Sequence, residues 1–194
     1  MNKKIVLFDM DGTLTPPREE FDINLLPALR QLSRVAEIGI VTGSDYDYVT
    51  QQMRLLMENS EIRYNLHILP CNGTKYYPPP QSFDHKEHSL FREDEIKSFK
   101  KFLKREELCN NVEVKLGGDT SYDIFPTGWD KTFSLQHFEG YECWFVGDRC
   151  GVNGNDREIY EKLRYNNRSF DVENPENTRI LLYNEIIPRI SNDR

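Results

Sequence analysis

Near the start of the chain a run of apolar residues ends on two aspartates: "KIVLFDMDGTLT", from Lys4 to Thr15. Ile5 to Phe8 have the unbroken apolar character of a strand covered on both faces. Such a strand needs a layer above and a layer below, which restricts the chain to sheets packed with helices. A carboxylate at the lip of that strand is costly to desolvate unless something uses it. Asp9 and Asp11 are therefore the first residues to explain.

The rest of the chain supplies the layers. Residues 22–34 (DINLLPALRQLSR) have helical spacing, with Leu25, Leu26, Leu29 and Leu32 on one face and Asp22 as N-cap. Residues 37–42 (EIGIVT) are a second buried strand, residues 45–57 (DYDYVTQQMRLLM) a second helix, and residues 141–146 (YECWFV) a third strand closed by Gly147. Strand, helix, strand, helix is the order of a parallel sheet wound with helices. The middle differs. Tyr76 to His88 (YYPPPQSFDHKEH) has linker composition. Residues 93–107 have the pattern of a charged helix with Ile96, Phe99 and Leu103 on its apolar face, and 112–116 and 121–125 are strands around Gly117-Gly118. The expected organisation is an α/β core of residues 1–77 and 127–194, with a small α+β unit of residues 78–126 inserted.

Charge and apolar content exclude several functions. With 32 acidic against 25 basic residues the net charge is −7, which is wrong for a broad nucleic-acid footprint. No apolar run is long enough to cross a membrane. "MNKKIVLF" meets Asp9 before a leader core could form, so no signal peptide is expected. Cys71, Cys109, Cys143 and Cys150 show no C-x-x-C spacing, so reduced thiols and a cytoplasmic location are expected.

In open α/β sheets ligands bind beyond the carboxyl ends of the strands. Those ends carry Asp9 and Asp11, then Thr42 and Ser44, then Asp148, with Asn155 and Asp156 in the Gly-rich "GDRCGVNGND" that follows. Lys131 stands in "GWDK". If the strands lie side by side, four aspartates converge and repel unless a hard cation joins them. Mg²⁺ suits that setting, because it takes one or two carboxylates together with waters and phosphate oxygens. A carboxylate can also attack phosphorus and form an aspartyl-phosphate.

"DMDGTLT", "IGIVTGSD", "WDK" and "GDRCGVNGND" resemble the four motifs of the haloacid dehalogenase superfamily of phosphohydrolases and phosphomutases. "DMDGTLTPPR", "VTGSDYDYV", "SYDIFPTGWDK" and "FVGDRCGVNGNDREIY" are similar to the eukaryotic-type phosphomannomutases. The resemblance implies a Rossmann-like core with a C2-type cap, and gives each residue a role. Asp9 would be the nucleophile and Asp11 the general acid and then base, which must carry a proton at neutral pH to assist the leaving group. Thr42 or Ser44 would bind the transferring phosphoryl oxygens, and Lys131 would neutralise their charge. Mg²⁺ would be held by Asp9, the Asp11 carbonyl and Asp148, with Asn155 or Asp156 in support. Arg18, Ser121 and Asp123 would touch a sugar phosphate.

Two departures from that family matter. Between Tyr76 and Leu116 the only arginines are Arg92 and Arg105, both placed on or beside the charged helix, whereas the family's cap grips its sugar with several. Lys162 and Tyr165 stand where a second, monovalent cation would need an acid and a hydroxyl. The expected activity is thus Mg²⁺-dependent hydrolysis of a small phosphorylated metabolite such as a sugar phosphate, with phosphomannomutase as the alternative. A phospho-acceptor signalling domain and an inactive binding module are the other classes, and a homodimer is left open.

Overall fold

The computed structural model describes residues 2–58, 60–79, 88–89, 112–116 and 122–192. Nine strands lie among them: β1 (Lys4–Phe8), β2 (Glu37–Val41), β3 (Leu66–Leu69), β4 (Lys75–Tyr76), β5 (His88–Ser89), β6 (Val112–Leu116), β7 (Tyr122–Pro126), β8 (Glu142–Gly147) and β9 (Ser169–Asp171). Five form the central sheet in the order β3-β2-β1-β8-β9, with every neighbouring pair parallel. The chain winds outward from β1 to β3 on one side and returns to β8 and β9 on the other. β1 is therefore the middle strand, and the winding reverses beside it, between β1 and β8, which is where such sheets bind ligands.

Each face of the sheet carries its own core, as the apolar run at residues 5–8 requires. Ile5 and Leu7 pack with Val41, Leu69, Phe145 and Ile159, and Val6 and Phe8 with Ile38, Ile40, Leu29 and Val146. Alternation along β1 divides its four apolar residues between the two layers.

The expected helices form, but shorter. In the first, Asp22 caps a 3₁₀ turn, Ile23–Leu25, by accepting from the Asn24 N–H, and the α-helix begins only at Leu26. Pro27 explains the delay, since proline has no N–H and fits only the first helical turn. Asp45 caps the second helix, Tyr46–Gln52, by accepting from the Tyr48 N–H. The expected helix to residue 57 breaks at Met53 into a separate segment, Arg54–Glu58. There the Gln52 carbonyl is taken by the Phe21 N–H at 2.9 Å, outside the helical ladder.

The linker expected over Tyr76 to His88 has strands at both ends, because β4 pairs antiparallel with β5. β6 and β7 form a separate antiparallel hairpin, close to the expected pair. The expected helix at 93–107, with Arg92 and Arg105, lies outside the described residues, as do Cys109 and Ser121. The C-terminal helices, Pro175–Leu181 and Ile187–Asn192, are joined by a π-helical turn, Leu182–Ile186, and bury Leu182, Ile186, Ile187 and Ile190. No described helix is long and apolar enough to cross a membrane. Cys71, Cys143 and Cys150 are unbridged.

Candidate active site

The strand register brings the predicted carboxylates together. Phe8 lies opposite Ile40 on β2 and Val146 on β8, so Asp9 leaves the middle strand beside the turns that carry Thr42 and Asp148. The Asp9 N–H still donates to the Val146 carbonyl at 2.9 Å, which fixes the backbone one residue beyond the strand. The chain then turns tightly, with the Leu14 and Thr15 N–H groups both donating to the Met10 carbonyl.

Lys131 reaches this point from a separate segment of the chain. It opens the 3₁₀ helix Lys131–Phe138, capped by Asp130, and its side chain is fully buried. Its ammonium donates to Asp9 Oδ1, and to Asp156 Oδ1 at 2.6 Å. The other Asp156 oxygen accepts from the Arg149 N–H at 3.0 Å. Asp156 is thus a buried bracket for the lysine.

Glycines make the room. A Cβ on Gly147 would lie 2.6 Å from Asp156 Oδ2, and one on Gly43 2.6 Å from Asp123 Oδ2. Gly12, at φ 81°, lets the backbone pass directly against the Asp148 carboxylate.

Asp9, Asp148 and Asp156 offer carboxylate oxygens within 4.8 Å of one another. One ammonium cannot balance three carboxylates, two of them buried and Asp148 partly so. Burial pushes Asp9 well above the ordinary carboxylate range; Asp156 and Asp148 push the same way, and Lys131 opposes them. Burial and then Asp156 push Asp148 up to about 6. For Lys131 burial works against the charge, but Asp156 and Asp9 outweigh it and hold the ammonium protonated. Asp148 Oδ1 is buried with no hydrogen-bond partner. An excess of buried carboxylate and an orphaned oxygen fit a hard divalent cation with oxygen ligands.

A stability test follows. Asp148 titrates near 3.9 when unfolded and at about 6 in the fold, so the folded state binds more protons between those values. Metal-free stability should therefore fall as pH rises through that window, by about 3 kcal/mol from this group alone. Mg²⁺ should raise the melting temperature more at pH 7.5 than at pH 5. Equal stabilisation at both, in melts with Mg²⁺ and with EDTA, would remove Asp148 from the metal site.

The other predicted residues among those described make the following contacts. Asp11 Oδ1 accepts from the Arg18 N–H at 3.0 Å and from the Tyr48 hydroxyl at 3.4 Å. Arg18 thus reaches Asp11 through its backbone, at φ 63°. Thr42 Oγ1 accepts from the Ser44 N–H at 3.2 Å. Asn155 Nδ2 donates to Asp123 Oδ2 at 3.0 Å, and Lys115 on β6 meets Glu158 at 2.6 Å, so the β6–β7 hairpin is fastened to the loop and helix that follow β8. Beside it opens a cavity of about 350 Å³, lined by Gly43, Asn72, Asp123, Phe125 and Trp129.

Sequence reasoning missed Tyr48 and Asn72. Tyr48 was marked only by its place three residues after the Asp45 cap. Asn72 was marked by the Asn-Gly pair at the end of an unrecognised strand.

A parallel sheet that gathers carboxylates from β1 and the loop after β8 around a buried lysine defines a phosphoryl-transfer enzyme of the haloacid dehalogenase type. Solved structures agree in fold. A Plasmodium falciparum IMP-nucleotidase is 16% identical with a TM-score of 0.66, over 94% of this chain and 70% of that one. An Aspergillus fumigatus trehalose-6-phosphate phosphatase is 16% identical with a TM-score of 0.59, over 98% and 93%. The particular family comes from sequence. The family model for eukaryotic phosphomannomutase matches residues 81–187. The phosphomannomutase of Arabidopsis thaliana is 30% identical over 81% of this chain and 87% of its own length. That of Solanum lycopersicum is 29% identical over 82% and 86%. The chain belongs to the eukaryotic phosphomannomutase family.

Proposed function

We propose that the chain transfers the phosphoryl group of a small sugar phosphate to Asp9, with Mg²⁺ held at Asp9, the Asp11 carbonyl and Asp148. The observation that carries this is Lys131, buried without exposure and fixed between Asp9 and Asp156. A buried ammonium on a strand-end carboxylate is badly placed for stability alone, since removing both charges would spare their desolvation. It is well placed to neutralise a phosphoryl group arriving at Asp9, because such transfers depend on positioning and charge. When bound, Mg²⁺ supplies further neutralisation of the phosphoryl oxygens.

Asp9 attacks phosphorus with one oxygen while Lys131 holds the other. Thr42 and Ser44, across the cleft on the turn after β2, donate to the phosphoryl oxygens. Asp11 gives its proton to the departing sugar oxygen, and takes one from the group that next attacks Asp9-phosphate. Residues 78–126 act as the cap over a core of residues 1–77 and 127–194. Arg18, Ser121 and Asp123 contact the sugar, and Asn155 and Asp156 support the metal site.

Return of the phosphoryl group to a sugar, as in a mutase, is favoured by the family match, which runs through the segment of the cap. Hydrolysis is the second reading, because Arg92 and Arg105 are the only arginines between Tyr76 and Leu116 to hold a second phosphate. Coupled assays decide between them. With mannose 1-phosphate and a hexose bisphosphate activator, mannose 6-phosphate should form faster than free phosphate. Phosphate release outrunning isomerisation would make the chain a phosphatase, and no turnover without Mg²⁺ is expected in either case.

A further inference from the structure

The turn Cys71–Gly73 carries none of the residues assigned above, yet it grips two of the elements that do. It follows β3 and Pro70, and Cys71, Asn72 and Gly73 take φ angles of 52°, 60° and 85°. Glycine adopts that region freely and asparagine tolerates it, but for cysteine it is strained. Strain of this kind persists only where the surroundings enforce it.

The surroundings are the two halves of the phosphoryl site. On one side the Cys71 N–H donates to the Ser44 carbonyl at 2.9 Å, and the Asn72 N–H to the Thr42 carbonyl at 2.8 Å. On the other, a His137 ring nitrogen lies 2.7 Å from the Gly73 carbonyl oxygen, and a Cβ on Gly73 would come within 2.6 Å of Ser134 Cα. His137 and Ser134 belong to the 3₁₀ helix that Lys131 opens. Asn72 completes the span, because its Nδ2 donates to the Trp129 carbonyl at 3.3 Å, two residues before Lys131. The residue is 5% exposed and its Oδ1 has no hydrogen-bond partner. A buried orphan acceptor is a cost, so the residue is poorly explained as a stabiliser.

We infer that Asn72 is a positioning residue, which sets the spacing between the Thr42–Ser44 turn and the Lys131 helix through their backbone carbonyls. Its hydrogen bonds go to the Thr42 and Trp129 carbonyls and not to Asp9. The two elements come from separate parts of the chain; the Cys71 and Gly73 contacts hold each of them to this turn, and the Asn72 amide adds the link to the segment that leads into Lys131. This role rests on the reading that the phosphoryl group is transferred between Thr42 and Lys131.

Asn72→Gly tests it, because glycine keeps the backbone angle and removes only the amide bridge. With p-nitrophenyl phosphate and Mg²⁺ as probe, kcat should fall about tenfold or more, since small misplacements at a reacting centre have large effects. KM should stay within about threefold and the melting temperature close to wild type, because the orphan oxygen leaves with the bridge. Asn72→Asp tolerates the angle but lacks the donor, so it should lose kcat as well. Wild-type kcat in Asn72→Gly would overturn the inference, as would a loss confined to KM or to melting temperature. Asp9→Asn is measured alongside. Activity surviving in that variant would refute transfer to Asp9, on which this role rests, whereas its loss together with wild-type kcat in Asn72→Gly would refute only the positioning role.

Discussion

Asp9→Asn is expected to lower turnover about a thousandfold or more while leaving the protein folded. The amide keeps the shape of the carboxylate but cannot attack phosphorus, and no other described carboxylate leaves the middle strand at that point. Asp148 and Asp156 are near, but one has an orphaned oxygen suited to metal and the other brackets Lys131 and the Arg149 N–H. Residues that act as a unit fail together, so little residual rate should remain. Folding should tolerate the change because it removes one charge from a buried excess of carboxylate, which already burdens Asp9. Single-turnover phosphate release and a thermal melt on the same sample check both halves. Activity within tenfold of wild type would show that Asp9 is not the nucleophile.

Lys131→Met is expected to damage stability as well as activity. Methionine fills much of the lysine's volume, yet it leaves Asp9 and Asp156 buried without their shared ammonium. Breaking a buried pair from one side typically costs about 3–5 kcal/mol, because the partner charge stays behind. In a domain of this size that is a drop of about 10 °C in melting temperature. Mg²⁺ should recover part of the loss by taking up the uncompensated charge, without restoring turnover. A melting temperature unchanged from wild type would mean that the lysine does not carry the electrostatic balance of the cleft.

Much of the site was legible in the sequence because strand-end residues are punctuated there by apolar runs and glycines. β1, β2 and β8 announce themselves as apolar stretches, and each is followed directly by its polar residues. β3 was missed because His67 interrupts its apolar run; in the fold that histidine is buried between Glu37 and the Tyr76 hydroxyl, at 2.8 Å from each. β9 was missed because three residues, Ser169–Asp171, carry no periodicity. The break at Met53 was invisible because its cause, the Phe21 N–H, lies far away in sequence. Lys131 looked like any surface lysine in "GWDK", and only the order of motifs around it suggested otherwise. Asn72 was marked only as part of an Asn-Gly turn, and the link it makes was invisible because it depends on two carbonyls contributed by other segments.

The central position of β1 also sets an order of events during synthesis. The strand that bears Asp9 is made before both of its neighbours and can find β2 soon afterwards, but its other neighbour is β8, and its lysine lies 122 residues further on. Until β8 emerges, one edge of the middle strand is an open row of amide and carbonyl groups, the kind of edge that recruits wrong partners. Pairing across so long a loop is slow compared with local winding. The Asp9–Lys131 pair thus forms only after β8 can close on β1, and the interval before that is when the polypeptide most depends on protection from its neighbours.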